Sequence, residues 1–159
     1  MTPLYARAPE GQRAVGRAPG GHWKRLTILG AIALNGLVAT MTVAAATTTE
    51  VFVAFVQQVL LPALQTRPDS IVAMDNLRPH KAACVRQAFE AAGVAYRYLP
   101  PYSPDLNPIE LAFAKIKRAL RRMAPRSFDA ICDAINAILN TFGPAECANY
   151  IRHAGYVQS

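Results

Sequence analysis

Cysteine and charge are both scarce in this sequence of 159 residues, and each scarcity excludes a class of protein. The cysteines Cys84, Cys132 and Cys147 are far apart and form no CxxC pair, which argues against a disulfide framework and a zinc site. Charged residues are 17% and hydrophobic residues 52% of the chain, a balance that excludes a disordered polymer. The length suits one domain with a substantial core, and free thiols without a signal-peptide pattern predict a cytoplasmic protein.

Acidic residues are the scarcer of the two charges. Ten Asp and Glu against seventeen Lys and Arg give a formal charge of +7 and a pI near 9.7, which favours polyanionic partners such as nucleic acid or an anionic membrane surface. Residues 1–22 are rich in Gly, Pro and Arg, which predicts a flexible basic arm before a domain over 23–159. The densest cationic patch, "KIKRALRRMAPR", contains Lys115, Lys117, Arg118, Arg121, Arg122 and Arg126.

Charge is absent from "LTILGAIALNGLVATMTVAAATTT", residues 26–49, a run long enough to span a bilayer. Its centre, Asn35-Gly36, instead suits a type I′ turn between two antiparallel strands. The flanking segments are of strand length and rich in β-branched residues, and no aromatic belt marks both ends. The sequence therefore favours a β-hairpin over a membrane helix.

The remaining chain alternates between helical and extended patterns. A crossover helix is predicted from Thr48 to near Pro62, a strand at 70–75, a helix at 79–93 and a second strand at 94–99. Three further helices are expected at 107–124, 127–142 and 144–153. Strands that alternate with helices predict an α/β fold with a mixed sheet flanked by helices.

Two carboxylates follow predicted strands. Asp75 ends a buried strand, at the sheet edge where ligands and catalytic groups collect, although an Asp75-Asn76 pair can also simply form a turn. Glu110 ends "YLPPYSPDLNPIE", in which rigid prolines fix how the chain enters the next helix. Asn107 and Glu110 also fit a capping box, so Glu110 can be a helix cap, a metal ligand or both.

The helix after Glu110 has two predicted faces. Lys117 and Arg121 lie seven and eleven residues beyond Glu110 and therefore on about the same side of the helix. A carboxylate with cations beside it suits a metal site that acts on a phosphodiester, while the cations alone also fit a solvated basic face. The predicted core-facing stripe consists of Ile109, Phe113, Ile116 and Leu120.

The segments "MDNLRPHKA", "YLPPYSPDLNPIELAFAKIKRALR" and the terminal "HAGY" resemble the catalytic domain of DDE transposases, in the bacterial insertion-sequence branch of the mariner superfamily. The 34 residues between Asp75 and Glu110 match the spacing common between the second and third acids of that family. The resemblance implies a ribonuclease H-like fold in which carboxylates hold two Mg²⁺ or Mn²⁺ ions for DNA cleavage and strand transfer. It implies supporting roles for Asn76, His80, Tyr102 and Asn107, and DNA binding by Lys115, Lys117, Arg118, Arg121 and Arg122.

One part of the family pattern has no counterpart in this sequence. The family's first catalytic aspartate lies on a central strand upstream of the matched region, and Glu10, Glu50, Asp69 and Asp105 offer no evident substitute. The helix-turn-helix region that reads transposon ends is also missing. We therefore expect an N-terminally truncated transposase domain that needs an upstream segment or a full-length transposase, and that works as a homo-oligomer on transposon and target DNA. The alternative is an inactive remnant that binds DNA or a full-length transposase.

Overall fold

The computed structural model describes residues 26–156, so the predicted basic arm at 1–22 lies outside the described residues. By their contacts, the described residues form two compact units, one made of 26–112 with 142–156 and the other of 113–141. The strands are β1 (Thr27–Ala33), β2 (Gly36–Val43), β3 (Ile71–Met74) and β4 (Ala95–Tyr98). The helices are α1 (Thr49–Phe55), α2 (Leu61–Leu64), α3 (Ala83–Ala91), α4 (Ile109–Met123), α5 (Phe128–Leu139) and α6 (Pro144–His153).

The charge-free run folds as the predicted hairpin. Strands β1 and β2 pair antiparallel from Thr27 opposite Val43 to Ala33 opposite Gly36, with a bulge between Ala31 and Ile32. The predicted type I′ turn at Asn35-Gly36 is wrong: the connection is Leu34-Asn35, and Asn35 does not adopt the positive φ that this turn requires. The side chain of Asn35 instead accepts a hydrogen bond of 2.7 Å from Arg67.

No helix within residues 26–156 is long and apolar enough to cross a membrane.

The predicted crossover helix continues through Pro62. Helix α1 begins where the Thr48 hydroxyl accepts the Val51 N–H, and it runs through a π-helical segment (Val56–Leu60) into α2. Just before Pro62, the π segment changes the backbone hydrogen bonds from the i→i−4 to the i→i−5 pattern. Pro62 has no N–H to donate and would otherwise interrupt the helix. Buried side chains pack this helical stretch on β2 and α3: Phe52, Phe55, Val56 and Leu60.

The two short strands pair in parallel, as predicted. Ile71 lies opposite Ala95 and Met74 opposite Tyr98, and the Leu99 N–H extends the pairing by donating to the Met74 carbonyl at 2.7 Å. Between them, the predicted helix at 79–93 is shorter than expected: Pro79–Lys81 form a 3₁₀ turn, and Ala82 is extended before α3 begins. Val85 and Phe89 of α3 are fully buried. Both strands therefore end at the same edge, where the candidate site residues follow.

The four strands form two separate pairs. Among the described residues, no ladder of backbone hydrogen bonds joins the hairpin to β3 and β4. The hairpin is covered by α6, and β4 by α3. Ile71 of β3 is 63% exposed, which is unusual because parallel sheets are normally covered on both faces. The predicted α/β class, with antiparallel and parallel pairs flanked by helices, is confirmed.

Candidate active site

Asp75 occupies the first position after β3. Its side chain is half-buried, and Oδ1 accepts the Leu77 N–H at 3.1 Å. This contact forms a local Asx turn, so the turn-forming role that the sequence allowed is present. The second carboxylate oxygen has no hydrogen-bond partner within residues 26–156, and it remains available to a ligand.

His80 lies against the same carboxylate. Its Nδ1 is 2.6 Å from Asp75 Oδ1, although the angles of this contact do not fit a hydrogen bond. The His80 ring stacks on the Phe52 ring with centroids 4.0 Å apart. The backbone carbonyl of His80 accepts a hydrogen bond of 3.0 Å from the Tyr98 hydroxyl. The side chain is only 13% exposed. His80 is thus a packed neighbour of Asp75.

Asn76 connects the ends of the two parallel strands. Its side-chain amide donates to the Leu99 carbonyl, directly after β4. Burial raises the pKa of the nearby Tyr98 phenol, whose hydroxyl donates to the His80 carbonyl. These two tethers hold the loop of Asp75 to the segment that leads toward Glu110.

The proline segment between Leu99 and α4 is built from tight backbone turns. Tyr102 has a φ of +56°, unusual for a residue other than glycine, and its side chain is fully exposed. A 3₁₀ turn (Pro104–Leu106) follows, in which the Asn107 N–H donates to the Pro104 carbonyl at 2.9 Å. Neither the Tyr102 nor the Asn107 side chain makes a hydrogen bond within the described part of the chain. Their predicted supporting roles stay predictions.

Glu110 stands in the first turn of α4 with an exposed carboxylate. The capping box is not formed, because the Asn107 N–H that Glu110 would accept is already bonded to Pro104. Over residues 26–156, the Glu110 side chain has no hydrogen bond and no salt bridge. Glu110 therefore presents a free carboxylate at the start of a fixed helix.

The start of α4 is packed beside the hairpin. The Ile109 Cδ1 lies 3.7 Å from the position that a Cβ on Gly30 of β1 would occupy. At the other end of the chain, the Tyr156 hydroxyl donates to the Leu106 carbonyl at 2.7 Å. The "HAGY" segment contributes to the family resemblance, but the sequence predicts no role for this tyrosine. Its partner is 50 residues away, and no local pattern marks that contact.

The basic face of α4 is largely solvent-exposed. Lys117, Arg118, Arg121 and Arg122 are exposed, whereas Lys115 is half-buried and donates to the Thr141 carbonyl at 3.2 Å. Ile116 and Leu120 of the predicted core-facing stripe are buried. DNA binding by the cations stays a prediction, and Lys115 is less free to reach a phosphate than the other four.

Asp75 and Glu110 follow the two strands of the parallel pair along the chain. Asp75 leaves β3, and Glu110 follows the segment that leaves the same edge of β4. Carboxylate oxygens are the donors that Mg²⁺ and Mn²⁺ prefer. Within residues 26–156, His, Cys, Asp and Glu side chains form no group of three or more placed to hold a metal ion. Asp75 and Glu110 are therefore candidate carboxylate ligands, and their joint role as a metal site stays a prediction.

Residues 1–132 match the protein family described as DDE superfamily endonuclease. The fold is similar to the Mos1 transposase paired-end complex with left transposon end (TM-score 0.73, 22% identity, 94% of this chain and 46% of that chain). It is also similar to a pre-cleavage Mos1 transpososome (TM-score 0.78, 18% identity, 94% and 47%) and to the Mos1 catalytic domain with Raltegravir and Mg (TM-score 0.64, 19% identity, 76% and 65%). Among curated proteins, none matches the sequence.

These structural likenesses confirm the predicted ribonuclease H-like fold. The chain spans about half the length of the transposase chains in the two complexes, 46% and 47%.

Proposed function

This chain belongs to the DDE superfamily endonucleases, and from that premise we propose that it is the catalytic domain of an insertion-sequence transposase. In this proposal it cleaves DNA strands at transposon ends and joins them to a target. The observation that carries the proposal is the order of elements after the β3–β4 pair: Asp75 directly follows β3, and the proline segment after β4 leads into the first turn of α4, where Glu110 lies. The likeness to a Mos1 transposase complex with a transposon end supports DNA as the partner.

We propose that Asp75 and Glu110 hold Mg²⁺ or Mn²⁺. The residues fit such an ion, since one carboxylate oxygen of Asp75 and both of Glu110 have no partner among the described residues and both groups are accessible. When bound, the ions supply activation of the attacking oxygen and charge stabilisation at phosphorus. The part of this chain is to present the two carboxylates, with His80 and Leu77 fixing one of them and the α4 backbone placing the other.

DNA contact is assigned to the exposed cations of α4. Lys117, Arg118, Arg121 and Arg122 have ends free to reach phosphate oxygens, which position DNA without reading its sequence. Lys115 is included with a smaller role because of its bond to Thr141. Replacing Arg121 and Arg122 with Gln should reduce the slope of the logarithm of DNA affinity against the logarithm of salt concentration by about one to two units. Replacing the exposed Arg152 of α6 with Gln removes one charge as the control and should have less effect.

We also propose that the domain is incomplete and takes a third carboxylate from an aspartate-bearing strand outside this sequence. Two points support this. The sequence resemblance provides counterparts only for the second and third acids of the family pattern, and among the described residues Ile71 of β3 is exposed and no ladder joins β3 to the hairpin. The thiols of Cys84 and Cys132, which form no disulfide among the described residues, support a reducing, cytoplasmic setting. The likeness to a paired-end complex of Mos1 transposase supports a homo-oligomer as the working form.

Nicking of transposon-end DNA with Mg²⁺ tests the proposal. The chain is assayed alone and with an N-terminal extension that supplies an aspartate-bearing strand, and nicking is expected only with the extension. Glu110→Gln should abolish it, whereas Glu90→Gln on the exposed face of α3 is the matched control and should leave it unchanged.

Robust nicking by the chain alone would refute incompleteness. Nicking that survives Glu110→Gln would refute the assigned site. Salt-sensitive DNA binding without nicking in either form would instead support the inactive remnant that binds DNA or a full-length transposase.

A further inference from the structure

We propose that Tyr156 is a positioning residue for Glu110, acting through the backbone of the proline segment. Its hydroxyl donates to the Leu106 carbonyl at 2.7 Å, across 50 residues of sequence. Leu106 ends the 3₁₀ turn that leads into α4, four positions before Glu110. The consequence for metal binding rests on the function proposed above, whereas the contact itself does not.

The end of α6 aims Tyr156 at this carbonyl. Gly155 has a φ of +83°, a conformation that favours glycine, and its N–H donates to the Arg152 carbonyl at 3.0 Å. The Tyr156 N–H donates to the Ile151 carbonyl at 3.3 Å, which completes a Schellman motif. The motif turns the chain back at a fixed angle. The sequence "HAGY" therefore encodes a helix stop together with the side chain that the stop directs.

The helix that precedes Tyr156 is itself anchored. Helix α6 packs on β1 and β2, and Cys147 on it and Ala154 at its C-terminal cap are buried. Partial burial also raises the pKa of the Tyr156 phenol. A hydroxyl on an anchored helix can fix a loop, whereas one on a mobile tail cannot.

The segment that accepts the hydrogen bond from Tyr156 is joined to α4 by a short, rigid stretch of chain. The N–H groups of Leu106 and Asn107 are bonded to Ser103 and Pro104, but over residues 26–156 no backbone N–H bonds the Leu106 carbonyl. Pro104 and Pro108 on either side have fixed φ angles, so the chain between Leu106 and α4 has few ways to absorb a displacement. Release of the Leu106 carbonyl should therefore loosen the first turn of α4, where Glu110 lies.

Hydrogen–deuterium exchange of the full chain tests the contact without any metal or DNA. Tyr156→Phe keeps the ring and removes the hydroxyl, and it should speed exchange in peptides covering 104–112 by roughly three- to tenfold, the effect of one lost hydrogen bond. Exchange in the hairpin should not change. The matched control is Tyr96→Phe, which removes a hydroxyl bonded to Glu90 and should leave 104–112 unaffected. Unchanged exchange at 104–112, or an equal increase over the whole chain, would overturn the proposal.

Mn²⁺ affinity, measured by electron paramagnetic resonance, tests the consequence for Glu110. Tyr156→Phe should weaken binding by at least about threefold, because a positioning group is lost while both ligands remain. Gly155→Ala, which strains the positive φ and misdirects Tyr156, should act in the same direction. Suppose that Glu110→Gln lowers the Mn²⁺ affinity but Tyr156→Phe and Gly155→Ala do not. That result would overturn the positioning role of Tyr156 and leave the proposed metal site intact. If Glu110→Gln leaves the Mn²⁺ affinity unchanged, the proposed metal site is wrong. The hydrogen–deuterium exchange experiment is then the only test of the Tyr156 contact.

Discussion

The two candidate ligands are held in opposite ways. Asp75 is half-buried, accepts the Leu77 N–H and lies 2.6 Å from the His80 ring nitrogen. Glu110 is exposed, and over residues 26–156 its side chain has no partner, so only the backbone at the start of α4 places it. One carboxylate is fixed before any cation arrives, and the other keeps its rotamer freedom. The difference indicates that the Asp75 side chain is held in place by its neighbours, whereas the Glu110 side chain can adjust its rotamer to a bound cation.

The largest effect on stability should come from His80, on the fixed side. His80→Ala removes a ring that is 13% exposed and stacked on Phe52, which should lower the free energy of unfolding by about 2–3 kcal/mol. Urea denaturation followed by circular dichroism measures this loss. His153→Ala on the exposed end of α6 is the control, expected within about 0.5 kcal/mol of the parent. Equal losses for both variants would show that His80 is not a packed part of the site.

A smaller effect distinguishes the two carboxylates directly. Asp75→Ala removes the acceptor of the Leu77 N–H and should cost about 1 kcal/mol of unfolding free energy. Glu110→Ala breaks no hydrogen bond among the described residues and should cost no more than about 0.5 kcal/mol. The same denaturation experiment gives both values. The contrast between the fixed and the adaptable side fails if Glu110→Ala is the more destabilising change.

The smallest expected effect on stability concerns Glu50. Like Glu110 it lies in the first turn of a helix, but unlike Glu110 its carboxylate interacts with a neighbouring side chain. The Thr48 side chain, and then the backbone of Glu50, hold the pKa of this carboxyl below its ordinary value. A lowered folded-state pKa adds stability above the unfolded-state pKa, and this is lost as pH falls through the folded-state pKa. The stability difference between the parent and Glu50→Gln should therefore be constant near neutral pH and vanish in the acid range. A difference that persists unchanged into the acid range would contradict this assignment.

Elements with strong local signals were predictable from the sequence. Helix α6 begins and ends at the expected residues, 144–153, because Gly143 and Pro144 mark its start and Gly155 its stop. The strand that precedes Asp75 was also predicted, since an apolar run leads there to an acid. Periodicity and breakers are local properties, and they identify such elements well.

Features that depend on competition between partners were not predictable. The capping box at Asn107 fails because Pro104 takes the N–H first, and the hairpin turn shifts by one residue while Asn35 bonds to Arg67. The ring contact of His80 with Phe52 and the bond from Tyr156 to Leu106 join segments far apart in sequence. Only the folded chain determines which of several possible partners each group finds.

The most direct test of the central claim is anomalous diffraction from crystals of this chain, with any required upstream segment, soaked in Mn²⁺. We expect an anomalous peak within about 2.0–2.6 Å of carboxylate oxygens from both Asp75 and Glu110, which are the distances of oxygen ligands to hard divalent cations. A peak that contacts only one of these carboxylates, or side chains too far apart to share an ion or a bridged pair of ions, would contradict the claim that they form one metal site.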